Sequence, residues 1–132
     1  MKHVMVIDDE RDILTCMDEV LTAEGYRVTG VVSGAEALDL LAEDPPDLVI
    51  LDLRMPGTNG LEVLQAIRRT HAELPIVVCS ALGSYRNDIE ILSANVAAFL
   101  DKPMDIEKVL ETVAALVGDA AEAATQADAS DA

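Results

Sequence analysis

Five polar side chains, each just after an apolar run, carry the chemistry this chain can offer. Asp8 and Asp9 follow VMVI (4–7), Asp52 follows LVIL (48–51), Ser80 follows IVVC (76–79), and Lys102 closes AAFLDK (97–102). Adjacent carboxylates are hard oxygen donors suited to Mg²⁺, which takes one or two of them with waters and phosphate oxygens. Bringing Asp52 beside that pair is costly, because at ~4 Å and an effective dielectric near 20 each like-charge pair costs roughly 4 kcal/mol. A divalent ion and the Lys102 ammonium are the charges available to offset it. A carboxylate such as Asp52 can attack a phosphoryl group to form an aspartyl phosphate. Catalysis of such a transfer is mostly positioning and charge neutralisation, roles open to a metal, to Lys102 and to a Ser80 hydroxyl. Each residue alone has a blander reading. Asp8-Asp9 suits the start of a helix, a serine after a strand is a turn residue, and a lysine is commonly solvated. Their shared position after apolar runs favours the chemical reading.

Elements of a particular kind are needed to gather these residues. Apolar runs of four residues bounded by turn signals suit strands buried on both faces, as in a parallel sheet covered by helices. Ligands of such sheets bind at the carboxyl ends of the strands. Helix-period stretches alternate with the runs. Ile13, Leu14, Met17, Val20 and Leu21 mark a helix from about Arg11 to Glu24, stopped by Gly25. Tyr26–Val32 reads as a second strand, and Ser33 as the N-cap of a helix carrying Leu38 and Leu41 that ends before Pro45-Pro46. Leu61, Leu64 and Ile67 mark a third helix, Tyr85, Ile89 and Leu92 a fourth, and Asp105 caps a fifth with Ile106, Val109, Leu110, Val113 and Val117 on one face. Five β-α units with right-handed crossovers predict one twisted α/β sheet with helices on both faces.

Composition narrows the partners. The 132 residues suffice for one domain, and 51% hydrophobic content supports a sizeable core built almost without aromatics, which are 2%. Nine Lys+Arg against 25 Asp+Glu give a net charge of −16, which repels nucleic acid. No apolar stretch approaches the ~20 residues of a membrane span, and the start does not read as a secretory signal. With Cys16 and Cys79 as free thiols, the expected location is the cytoplasm, with no membrane partner. Residues 119–132, DAAEAATQADASDA, lack basic and large apolar side chains and read as a disordered acidic tail or the start of a linker. That leaves 1–118 as the domain.

The segments IDDE (7–10), LDLRMPGTNGLE (51–62), CSA (79–81) and AAFLDKP (97–103) resemble the signatures of the response regulator receiver domain, over roughly residues 3–117. The resemblance implies a flavodoxin-like, doubly wound five-stranded parallel sheet of order 2-1-3-4-5 with five helices. It implies that Asp52 is the phosphoacceptor and that Asp8, Asp9, Asp52 and the Arg54 backbone carbonyl hold Mg²⁺ (or Mn²⁺). Lys102 and Ser80 would contact the phosphoryl oxygens, while Ser80 and Phe99 would form the switch, although Phe99 also reads as core filler. The Lys102-Pro103 bond matches a commonly cis position, and Gly57 and Gly60 fit a tight loop that would use positive φ. Asn95 stands where the family commonly has glycine, a substitution that a left-handed backbone tolerates. Ser80 stands in place of the commoner threonine, and Met104 in place of a frequent phenylalanine. Arg54 and Leu82 resemble the pair that tunes phosphate lifetime. Neither suits orienting an attacking water, so slow autodephosphorylation is expected.

The function implied is a phosphorylation-activated switch in a two-component system or phosphorelay. It would accept phosphate from a histidine kinase or histidine phosphotransfer protein. It would alter the surface of the fourth helix, fifth strand and fifth helix, where Ile91 is a candidate contact, for a downstream target or output domain. The chain would catalyse its own phosphorylation without being a conventional turnover enzyme, as a monomer or a phosphorylation-dependent dimer. The rival is a degenerate receiver that binds protein without phosphate, against which the intact Asp52, Ser80 and Lys102 argue. A haloacid-type phosphatase would need D-x-D after the first strand, and a flavin protein a glycine-rich phosphate loop. IDDE and its sequel offer neither. Whether the domain stands alone or belongs to a longer regulator stays open.

Overall fold

A computed structural model describes residues 1–55, 58–80, 95–102 and 105–118. Five strands form one parallel sheet: β1 (His3–Ile7), β2 (Arg27–Val31), β3 (Leu48–Asp52), β4 (Ile76–Ser80) and β5 (Ala98–Asp101), in the order β2-β1-β3-β4-β5. This is the 2-1-3-4-5 order expected. Central position explains the composition of β1 and β3, whose five residues are each buried throughout. The edge strand β2 is more exposed. Only Val31 of its five residues is buried, because β2 has a neighbour on one side alone.

Period-2 alternation divides the core in two. Met5, Ile7, Val49, Leu51, Ile76 and Val78 face helices α2 (Gly34–Glu43) and α3 (Gly60–Thr70). Val4, Val6, Leu48, Ile50, Val77 and Cys79 face α1 (Arg11–Ala23) and the C-terminal helix (Ile106–Val117). Leu64 and Ile67 of α3 are fully buried, each contributing about 1.5–3 kcal/mol of hydrophobic stabilisation. Four helices lie among the described residues. The expected helix carrying Tyr85, Ile89 and Leu92 lies outside them, as do Gly57, Leu82, Ile91, Pro103, Met104 and the tail 119–132.

The helix boundaries follow capping chemistry. Ser33 Oγ accepts from Glu36 N at 3.2 Å, and Asp105 Oδ1 accepts from Glu107 N at 2.9 Å, satisfying helix-start donors as anticipated. Asn59 performs the same service for α3, accepting from Leu61 N at 3.0 Å. Gly25 (φ 94°) ends the first β-α unit and Asn95 (φ 57°) takes the left-handed turn before β5. Gly60 corrects an expectation, since positive φ is not its reason. A Cβ there would lie 2.4 Å from both the Cα and the carbonyl oxygen of Leu53. Only a residue without a side chain lets α3 begin so close to the end of β3.

Candidate functional site

Parallel strands deliver their carboxyl ends to one edge of the sheet, and there the site assembles. Asp52 is the last residue of β3, Asp8 follows β1 and Lys102 follows β5. The Asp8 N–H donates to Val31 O at 3.0 Å, continuing the pairing with β2. The Asp8 carboxylate then accepts from Glu10 N through Oδ1 at 2.9 Å, which turns the chain into α1. Asp8 and Asp52 are only 2% and 4% exposed.

One ammonium ties these buried acids together. Lys102 Nζ donates to Asp52 Oδ2 at 2.8 Å and to Asp8 Oδ2 at 3.0 Å, with Glu10 Oε1 at 3.9 Å. Burial alone would lower the Lys102 pKa, but the hydrogen bonds to Asp52 and Asp8 outweigh it and hold the ammonium above its ordinary range. Burial pushes the Asp8 carboxyl up, against the lowering effect of the Glu10 N–H and of Lys102. Cys79, opposite Asp52 in the β3–β4 register, has its thiol pushed up to about 12 by burial despite the Lys102 charge nearby.

Asp8, Asp9 and Glu10 each present a carboxylate oxygen within 4.8 Å of the others. Glu10 was not singled out by sequence reasoning. Its signal was present as the third acid of IDDE, and its position is the N-cap of α1, where its side chain makes no capping hydrogen bond. An excess of hard oxygen donors over positive charge fits a divalent cation such as Mg²⁺. Asp52 meets Asp8 through Lys102 and is not part of that carboxylate group.

The remaining expected residues are placed by backbone. Ser80 ends β4 in register with Asp101 of β5, and its side chain lies outside the described residues. Arg54 lies two residues beyond Asp52, in a short antiparallel ladder of Arg54–Met55 with Thr58–Asn59. Phe99 is half-buried, opposite Val78, and packs against the α2–α3 half of the core. Among the described residues, no helix is long and apolar enough to cross a membrane.

Comparison with known proteins bears on the same residues. The chain is similar to the response regulator MprA of Mycolicibacterium vanbaalenii, 39% identical over 115 residues, which are 87% of this chain and 50% of that protein. The MprA of Mycobacterium avium is 37% identical over the same proportions. The chain thus spans about half the length of the curated relatives it matches. Among solved structures, Vibrio cholerae CheY4 superposes with a TM-score of 0.82 at 27% identity, over 88% of this chain and 98% of that one. The response regulator TrrA of Thermotoga maritima, solved in complex with Mg²⁺-BeF, gives a TM-score of 0.80 at 34% identity, over 88% and 99%. Residues 4–114 match the response regulator receiver domain model. A parallel sheet of this order, carrying buried acids and a lysine at its carboxyl edge and matched along nearly its whole length, makes this chain a member of the response regulator receiver domain family of two-component signalling.

Proposed function

We propose that the chain is a phosphorylation-activated switch in which Asp52 accepts a phosphoryl group from a phosphohistidine. The observation that carries this reading is the Lys102 ammonium, held 2.8 Å from Asp52 Oδ2 in a buried pocket. In the transfer, a bond forms between an Asp52 carboxylate oxygen and phosphorus, the histidine N–P bond breaks, and the departing imidazole takes up a proton. Lys102 is already aimed at the nucleophile, so it can follow the negative charge onto the phosphoryl oxygens without reorganisation. Ser80, one strand away at the same edge, is assigned the hydroxyl donor role. A divalent cation held by Asp8 and Asp9, with Asp52 and the Arg54 carbonyl, would supply the remaining positive charge. TrrA, crystallised with Mg²⁺-BeF, supports that assignment by similarity.

Phosphorylation adds about 1.5–2 negative charges and strong acceptors at this edge. Movement of Ser80 toward them opens space for Phe99, whose strand and neighbouring C-terminal helix then present an altered surface. Reversing a 1:99 population needs roughly 5.5 kcal/mol of differential stabilisation, within reach of a few charge-assisted hydrogen bonds. On this reading the chain is cytoplasmic, and its partners are a histidine kinase or histidine phosphotransfer protein and a downstream target or output domain. Residues 1–118 form the receiver and 119–132 a tail or linker. Autodephosphorylation is slow.

Incubation with acetyl phosphate and Mg²⁺, read by intact mass, tests the proposal. A single base-labile phosphoryl adduct is expected, lost in Asp52→Asn and on chelation of the metal. An adduct that persists in Asp52→Asn refutes the assignment. No adduct at all on the folded wild type indicates a degenerate receiver.

A further inference from the structure

The buried polar or charged residues among those described are His3, Asp8 and Asp52, and the phosphoryl site uses only the last two. His3 lies at the opposite end of the sheet, 4% exposed, within a closed network. Its ring Nδ1 is 3.1 Å from Arg27 Nη2 and its Nε2 is 2.7 Å from Thr29 Oγ1. A guanidinium only donates. Nδ1 must therefore be the acceptor, which places the ring's single proton on Nε2, donated to Thr29. Arg27 is bidentate to Asp44, at 2.8 and 3.0 Å. The His3 N–H donates to Asp47 Oδ2 at 2.8 Å, and Asp47 N donates back to His3 O at 2.7 Å. Three separate segments meet here: β1, the edge strand β2, and the turn from α2 into β3.

We propose that His3, Arg27, Thr29, Asp44 and Asp47 form an acid-released latch that fastens β2 and the α2–β3 turn to β1 while the His3 ring is neutral. A second ring proton would sit on Nδ1, facing a guanidinium that offers no acceptor. The hydrogen bond to Arg27 would then become a contact between like charges. The other groups facing the ring are the Asp44 and Asp47 carboxylates and the Pro45 carbonyl, all of which favour the charged ring. Burial and the Arg27 charge prevail over them and lower the His3 pKa from its ordinary 6.5. The folded state thus binds the proton less tightly than the unfolded chain. The latch is at full strength above pH ~6.5 and is lost as the pH falls toward the folded value, by up to about tenfold in opening equilibrium per pH unit. The mass of the sheet shields β1 and β3, so opening is confined to the one-sided β2. This inference does not depend on the reading of the phosphoryl site.

His3→Gln separates the latch from every other acid-titrating group, because a neutral glutamine can accept from Arg27 and donate to Thr29 at all pH values. The readouts are ring resonances of His3, assigned with His71→Gln, and amide-exchange protection factors corrected for intrinsic pH dependence. Expected are a His3 pKa below 6.5, the Nε2–H tautomer, and protection of β2 amides that falls several-fold from pH 7.5 to 5.5 in wild type but not in His3→Gln. A His3 pKa at or above 6.5, the other tautomer, or the same loss of β2 protection in both proteins would overturn the latch.

Discussion

Replacing Lys102 by methionine keeps the length of the side chain and removes the only cation found beside two buried carboxylates among the described residues. At 2.8 and 3.0 Å and an effective dielectric near 20, the bare attraction is about 6 kcal/mol to each acid. Desolvation of the ammonium, whose side chain is 14% exposed, returns much of that. Breaking a buried pair from one side typically leaves a net loss of about 3–5 kcal/mol, and this is the destabilisation expected for Lys102→Met at pH 7 without metal. Two responses should accompany it. Mg²⁺ should restore stability, by about 2.7 kcal/mol in total at a hundredfold excess over Kd, and more at a given concentration than in wild type, since the Lys102 ammonium no longer offsets the acids. Acidification should help too. Asp8 is already pushed up by burial, and it rises further without the Lys102 hydrogen bond. A folded-state carboxyl pKa above the unfolded one means that the folded state holds the extra proton, so stability increases as pH falls from 7 toward the unfolded value. Urea titration followed by far-UV circular dichroism measures all three, an appropriate probe because the chain has no tryptophan. A Lys102→Met protein as stable as wild type, or one destabilised but indifferent to both Mg²⁺ and pH, would refute the view that Lys102 neutralises a buried acid pair.

Two glycines should respond in opposite directions to alanine. Gly60→Ala should cost about 3 kcal/mol in urea denaturation, the upper end of the usual overpacking range, because its Cβ meets the Leu53 backbone at 2.4 Å. Gly30→Ala should stabilise by about 0.5–1 kcal/mol, since the new methyl finds Leu14 at an ordinary 3.5–3.7 Å and the unfolded chain loses entropy. Tyr26→Phe removes the hydrogen bond from the phenol to Gly118 O at 2.9 Å, so about 1 kcal/mol should be lost and amide exchange should quicken in the last turn of the C-terminal helix. Ellman's reagent at pH 8 should label one thiol rapidly in the native protein, the exposed Cys16, and two after denaturation, because Cys79 is buried with its thiol pushed up to about 12.

Local chemistry is visible in the order of residues. The runs VMVI and LVIL, bounded by turn signals, suit strands buried on both sides, because a half-solvated strand would alternate with polar residues. Ser33 and Asp105 announced their helices by capping, and Gly25 and Asn95 announced left-handed turns, each a matter of nearest-neighbour backbone geometry. The candidacy of Asp8, Asp9, Asp52 and Lys102 followed equally from position, since the carboxyl end of every strand in a parallel sheet lies on one edge.

Distances across the chain belong to the fold. That Lys102 bridges Asp8 and Asp52 required β5 and β1 to be brought to opposite sides of β3, joining residues 94 and 50 positions apart. Glu10 was an acid like any other until its side chain was found turned toward that ammonium instead of capping α1. Gly60 owes its identity to the Leu53 backbone, and the His3 ring is held toward its neutral form by burial and by an arginine 24 residues away. Periodicity, capping and turn chemistry act over a few residues and are written in the chain directly. Charge compensation and steric exclusion act through space, and their partners are chosen only when the sheet is assembled.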